Sequence, residues 1–251
     1  MDRSDGFPPD NCLGPTLGDL GDRPRSALDR LASLGFRSVQ LSATQPGLRP
    51  RELDRSARRD LRVSLRRLEM VATGLDLWIP AAHFVTPSTS DRAVDAVRAA
   101  IELAADLGRC PVCLSLPGDD EGHLGPIAGT IIDHAVHRGV MVADHAVRPA
   151  STEPIGVGID PPAWLAQGED PVAGVTTFAG RLVSLRLADL LESGMRAPIS
   201  VPEGGRLDVA AYRKAIASSG YRGPLVIDMR GWPDPWAGLA QTARTWMLCE
   251  A

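Results

Sequence analysis

Gly220-Tyr-Arg-Gly-Pro-Leu-Val-Ile-Asp228 is the stretch on which the fold turns. Its first glycine suits the left-handed residue that closes a helix, and the preceding Val209 to Ser218 has the pattern of one. The stretch ends in a short apolar strand, Leu225 to Met229, that carries a carboxylate at Asp228. Helix, glycine turn and short apolar strand together make one unit of an α/β chain.

Outward from that unit the same alternation recurs. Apolar runs at Cys12–Leu17, Val39–Ser42, Val71–Ile79, Pro111–Leu116, Val140–Asp144, Ile155–Asp160 and Leu182–Leu187 join Leu225–Met229 to give eight predicted strands. Helical patterns fall between them at Arg25–Leu34, Arg51–Glu69, Asp91–Leu107, Gly125–His137, Pro171–Ala179 and Val209–Ser218, and Pro235–Leu248 closes the chain. Eight alternations predict a closed (β/α)8 barrel. A doubly wound sheet more often has five or six strands and a glycine-rich phosphate loop. No G-x-G-x-x-G or Walker motif occurs, so a nucleotide cofactor is unsupported. The 251 residues match the roughly 250 of one such barrel, and residues 1–251 read as a single domain with a flexible segment at 1–10.

Composition narrows the function. A 44% hydrophobic content without an apolar run near the roughly 20 residues of a membrane span excludes a helical membrane protein. Polar Met1 to Asp10, with Pro8 and Pro9, lacks the apolar core of a secretion signal, which places the chain in the cytoplasm. Net charge is -4 with both signs interspersed, so no nucleic-acid partner is expected. Arg49 to Arg67 holds eight arginines, but Leu53, Leu61, Leu65 and Leu68 recur at helical spacing, and the arginines read as a solvated helix face. Cys12, Cys110, Cys113 and Cys249 form no disulfide framework, and Cys110-x-x-Cys113 lies in a predicted buried strand, where packing explains it.

Longer motifs bring a resemblance into view. Gly158-Ile-Asp-Pro-Pro-Ala-Trp-Leu-Ala-Gln-Gly-Glu-Asp-Pro171, Gly180-Arg-Leu-Val-Ser-Leu-Arg-Leu-Ala-Asp189 and Gly220 to Asp228 resemble the sixth, seventh and eighth strand elements of the xylose isomerase-like TIM barrels, the sugar isomerases and epimerases. Ala27 to Leu41, His83 and Ala104 to Gly108 are similar to that family's earlier elements. The resemblance implies a site at the C-terminal strand ends and a divalent Mn, Mg or Zn ion held by Glu, Asp, His and Glu on strands five to eight. Those positions correspond to Asp144, Asp160, Arg186 and Asp228. Asp160 alone is unchanged. Each shortened carboxylate loses about one bond of reach against a tolerance of roughly 0.2 Å, and an arginine has no lone pair to donate. A metal at Asp160, with Asp144 and Asp228, is therefore disfavoured by Arg186, and no cofactor is expected.

Two readings of the altered mouth follow. In one, Arg186 replaces the cation among three carboxylates, leaving a metal-free pocket for a small carbohydrate or sugar acid. In the other, Asp144 and Asp228 share acid/base work while Arg186 stabilises an enediolate, as an isomerase or epimerase requires. A non-catalytic ligand-binding or regulatory barrel stands beside both. His83, His145, Trp78, Trp164 and Trp232 are candidate substrate contacts, because each falls at or just beyond a predicted strand end, and Gln40 joins them because the resemblance implies that it stands at the family's second-strand glutamate near the substrate. Flat aromatic rings suit the apolar face of a sugar. His123, His134 and His137 read as surface residues, and homo-oligomer formation is left open.

Overall fold

A computed structural model describes residues 12–21, 23–117, 124–149, 154–199 and 204–248. The expectations placed on residues 1–10, His123 and Cys249 lie outside them. Eight parallel strands form the barrel: β1 (Leu13–Pro15), β2 (Ser38–Ser42), β3 (Val71–Asp76), β4 (Val112–Leu114), β5 (Val142–Asp144), β6 (Gly156–Ile159), β7 (Leu182–Leu187) and β10 (Leu225–Ile227). Between β7 and β10, β8 (Asp189–Leu190) and β9 (Arg196–Ala197) make a small antiparallel ribbon. The ring is nearly closed. β1 pairs with β10 through Leu13 opposite Leu225, and it reaches β2 through a parallel bridge between Thr16 and Gln40.

Helices α1 (Pro24–Ser33), α2 (Arg55–Arg67), α3 (Ala82–Val85), α4 (Ser90–Asp106), α5 (Leu124–Arg138), α6 (Pro161–Ala166), α7 (Pro171–Thr177), α8 (Val209–Ser219) and α9 (Pro235–Leu248) alternate with the strands. The α8 helix ends on Gly220 at φ 75°, the left-handed residue that the opening motif calls for. The expected helix over Arg51–Glu69 is two pieces: a 3-10 turn at Pro50–Glu52, then α2, whose start is capped by Asp54 accepting from the Ala57 amide at 2.8 Å. Short helices α3 and α6 occupy segments that carry no helical period long enough to read. Pro161 and Pro162 open α6, where a missing amide costs no hydrogen bond.

Alternation along the strands divides the core. On β7, Leu185 and Leu187 are fully buried members of the apolar core, while Ser184 and Arg186 belong to the other face. There Gln40 donates to the Cys113 sulfur at 3.5 Å, and all four side chains are buried. The barrel interior is therefore polar beneath its C-terminal mouth. Among the described residues, no helix is long and apolar enough to cross a membrane.

Candidate functional site

Parallel strands bring all their C-terminal ends to one face, so residues far apart in sequence converge there. Asp76 ends β3, Asp160 follows β6, Arg186 lies in β7, and Asp228 and Arg230 follow β10. Arg196 enters from the ribbon strand β9. These six make a closed ionic cluster.

Arg186 is its centre, with a side chain only 4% exposed. One terminal nitrogen, Nη2, pairs with Asp76, while Nη1 lies 3.1 Å from Asp160 and 3.3 Å from Asp228. Arg196 grips Asp160 with both terminal nitrogens, at 2.9 and 3.2 Å, and also donates to Asp228 at 2.7 Å. Arg230 donates from Nε to both oxygens of Asp228, at 2.9 and 3.0 Å, and from Nη2 to Asp160 at 2.9 Å. Three carboxylates face three guanidiniums. Such forked, charge-assisted bonds are the strongest that protein side chains make.

The consequences for protonation differ among the three acids. Burial pushes the Asp160 carboxyl up, but Arg196 and Arg186 outweigh it and hold it at about 2. Asp228, also buried, is held far below the usual carboxylate range by Arg230, Arg196 and Arg186. Asp76 goes the other way: burial raises it, and Arg186 and Arg230 offset only part of that. Asp160 and Asp228 are thus fixed anions at neutral pH.

The expected ligand positions can be tested against the chemistry of a divalent ion. The Oδ2 atoms of both Asp160 and Asp228, which would have to supply ligands to such an ion, instead lie against the Arg186 guanidinium. Among the described residues, no three His, Cys, Asp or Glu side chains group as a metal-ligand set. Asp144 is fully buried and its Oδ1 accepts from the Leu116 and Ala146 amides, both at 3.0 Å, so that oxygen ties two loops together. The residues do not fit a divalent ion, because guanidinium groups already satisfy the oxygens that would hold it.

Beside the cluster opens a cleft of ≈ 330 Å³ at the ends of β1, β2, β3 and β10. Asp19, Gln40, Asp76, Trp78 and Arg230 line it, together with the hydroxyls of Ser42 and Thr44, which share a 3.0 Å hydrogen bond. A larger hollow of ≈ 580 Å³ lies at the N-terminal ends of β1 and β2, with a mostly apolar lining that includes Leu34, Phe36 and Trp246. It is remote from the ionic cluster.

Of the candidate contacts read from the sequence, Gln40 and Trp78 line the mouth cleft, Trp78 with 64% exposure. His83 is exposed on α3. Trp164 is buried in α6, edge-on to Phe178 with ring centroids 6.4 Å apart, and Trp232 is buried against Gly238 of α9. His145 is buried too, its ring so close to Gly158 that a Cβ there would come within 2.4 Å of the imidazole. Burial, then Arg186, holds its pKa well below 6.5, so the ring is neutral, and neither ring nitrogen has a hydrogen-bond partner among the described residues.

Four residues of the mouth escaped the sequence reading: Asp19, Asp76, Arg196 and Arg230. One carried a usable signal: Arg230 is two residues beyond Asp228, on the same side of an extended chain. Asp76 lay inside the predicted strand Val71–Ile79, which the structure ends at Asp76. Arg196 belongs to a ribbon without a readable period, and Asp19 to a loop.

No family model matches the chain, and no curated protein matches it. Solved structures do. A xylose isomerase domain protein from Planctomyces limnophilus is 19% identical over 95% of this chain and 94% of its own, with a TM-score of 0.70. An L-ribulose 3-epimerase, 15% identical, covers 96% of this chain and 94% of its own with a TM-score of 0.74. A D-psicose 3-epimerase crystallised in the presence of D-fructose is 13% identical over 94% and 96%, with a TM-score of 0.71. The chain has the TIM-barrel fold of these xylose isomerase-like proteins and sugar epimerases.

Proposed function

We propose that this chain is a divergent sugar isomerase/epimerase-type barrel that binds a small carbohydrate in its C-terminal mouth without a divalent metal. The cleft beside the ionic cluster carries this reading. It is of sugar size, its hydroxyl and amide side chains suit a polyol, and Trp78 offers an exposed ring at the rim. Arg186, Arg196 and Arg230 supply the positive charge that three converging carboxylates need, so the cluster holds the mouth in shape. Titration of stripped protein with a panel of ketoses and aldoses, followed by Trp fluorescence and calorimetry, tests the reading. Saturable binding that weakens in Trp78→Ala is expected. Absence of binding across the panel defeats it, and one tightly held equivalent of Mn²⁺, Mg²⁺ or Zn²⁺ defeats its metal-free part.

A catalytic version has a specific observation in its favour. Proton transfer through Asp144 and Asp228 is a poor fit, since Asp228 is fixed as an anion and Asp144 has one oxygen engaged by two amides. Asp76 and Asp19 instead line the cleft, and both are shifted upward, chiefly by burial, towards the range where a carboxyl exchanges protons. Turnover of a sugar by the wild type, abolished in Asp76→Asn with binding retained, is the outcome this version requires.

A further inference from the structure

Resting on the reading of the mouth as a carbohydrate site, the structure assigns its ligand a charge. We infer that the cleft selects a hydroxylated primary amine, protonated at neutral pH, over the corresponding neutral sugar and over a sugar acid or sugar phosphate. The first ground is charge balance. Asp76, Asp160 and Asp228 are matched by Arg186, Arg196 and Arg230, whereas Asp19 makes no ion pair or side-chain hydrogen bond among the described residues. The cleft therefore carries an excess negative charge at its wall.

The second ground is the hydrogen-bonding character of the wall. Gln40 is 1% exposed and its amide is enclosed, with Nε2 on Cys113, so the acceptor that faces the cleft is the Asp19 carboxylate. An ammonium group brings three N–H donors and no acceptor, which suits that carboxylate beside the Ser42 and Thr44 hydroxyls. An incoming carboxylate or phosphate meets the opposite situation, since Arg230 has Nε and Nη2 committed to Asp228 and Asp160. Only its remaining terminal nitrogen is left for a ligand hydroxyl.

Trp78 is the third component. Its exposed indole at the same cleft can take the cation over its face as well as a sugar ring. Asp19 itself is shifted upward by burial and by the Asp228 and Asp76 carboxylates, against the pull of Arg230, so a cation beside it relieves repulsion already present.

Calorimetry with D-glucosamine, D-glucose, D-gluconate and D-glucose 6-phosphate at low and moderate salt tests the assignment on the full chain. The expected order is glucosamine about tenfold tighter than glucose, with gluconate and the phosphate weaker still. That preference should shrink with added salt. In Asp19→Asn, with thermal unfolding recorded to confirm the fold, the glucosamine-to-glucose ratio should fall towards one. Equal or tighter binding of glucose or of either anion overturns the inference while leaving the carbohydrate reading in place. Absence of binding by all four compounds overturns the inference, and only absence of binding across the ketose and aldose panel as well overturns the carbohydrate reading.

Discussion

Replacing Arg186 by Met removes the centre of the ionic cluster at nearly constant volume, and the structure sets the size of the loss. Asp160 and Asp228 keep Arg196 and Arg230, whereas the only ion pair of Asp76 among the described residues is to Arg186. The variant therefore strands chiefly one buried carboxylate. Asp76 can escape by taking up a proton, which caps the loss at pH 7 at about 4 kcal/mol, at about 1.4 kcal/mol for each pH unit above its ordinary value, and the loss is smaller because burial already raises Asp76 in the wild type. That cap lies within the roughly 3–5 kcal/mol expected when one partner of a buried ion pair is deleted. Urea denaturation should thus show a lower midpoint at unchanged slope. The sign of the pH dependence follows from the same proton. The penalty relative to wild type falls by up to about 1.4 kcal/mol for each unit of acidification and is gone once the pH reaches the raised value at which Asp76 protonates in the wild-type fold as well. Adding Asp76→Asn to Arg186→Met should restore most of the lost stability at pH 7. A loss below about 1 kcal/mol, a loss independent of pH, or simple additivity of the two substitutions would refute the reasoning.

Three further outcomes follow from particular contacts. Gly158→Ala drives a methyl into the His145 ring and should cost about 1–3 kcal/mol in chemical denaturation, with most of it recovered by His145→Ala in the same chain. Because His145 is buried with its folded pKa lowered, it contributes no penalty above about 6.5; stability should drop as pH falls through that value, with a slope of up to about 1.4 kcal/mol per unit that His145→Met removes. Cys113 and Cys110 are buried thiols pushed up to about 11 and about 12, so iodoacetamide at pH 8 should leave both unlabelled until denaturant is added. Labelling of either in the folded protein would contradict their burial.

The fold was legible because its signals are local and repeated. Each strand is a short apolar run, and Gly35, Gly108, Gly139 and Gly220 stand at helix ends in left-handed conformations that the sequence pattern anticipates. Arg186 was legible as a disturbance through the resemblance, which sets an arginine at the strand-seven position of a metal-ligand histidine, where a cation needs anions around it. Which anions it finds was harder to read. The strand-five position suggested Asp144, but its Oδ1 is taken by the Leu116 and Ala146 amides, and the third carboxylate of the cluster comes from Asp76 on β3. Barrel closure decides this, since it sets β3 across the mouth from β7, a relation that spacing along the chain does not encode. The other arginines follow from electrostatics. A single guanidinium cannot neutralise three buried carboxylates, so the reading that placed Arg186 among several aspartates already required further cations. Arg230 lay within reach of that logic, two residues past Asp228. Arg196 did not, since its place at the mouth depends on a ribbon only two residues long on each side.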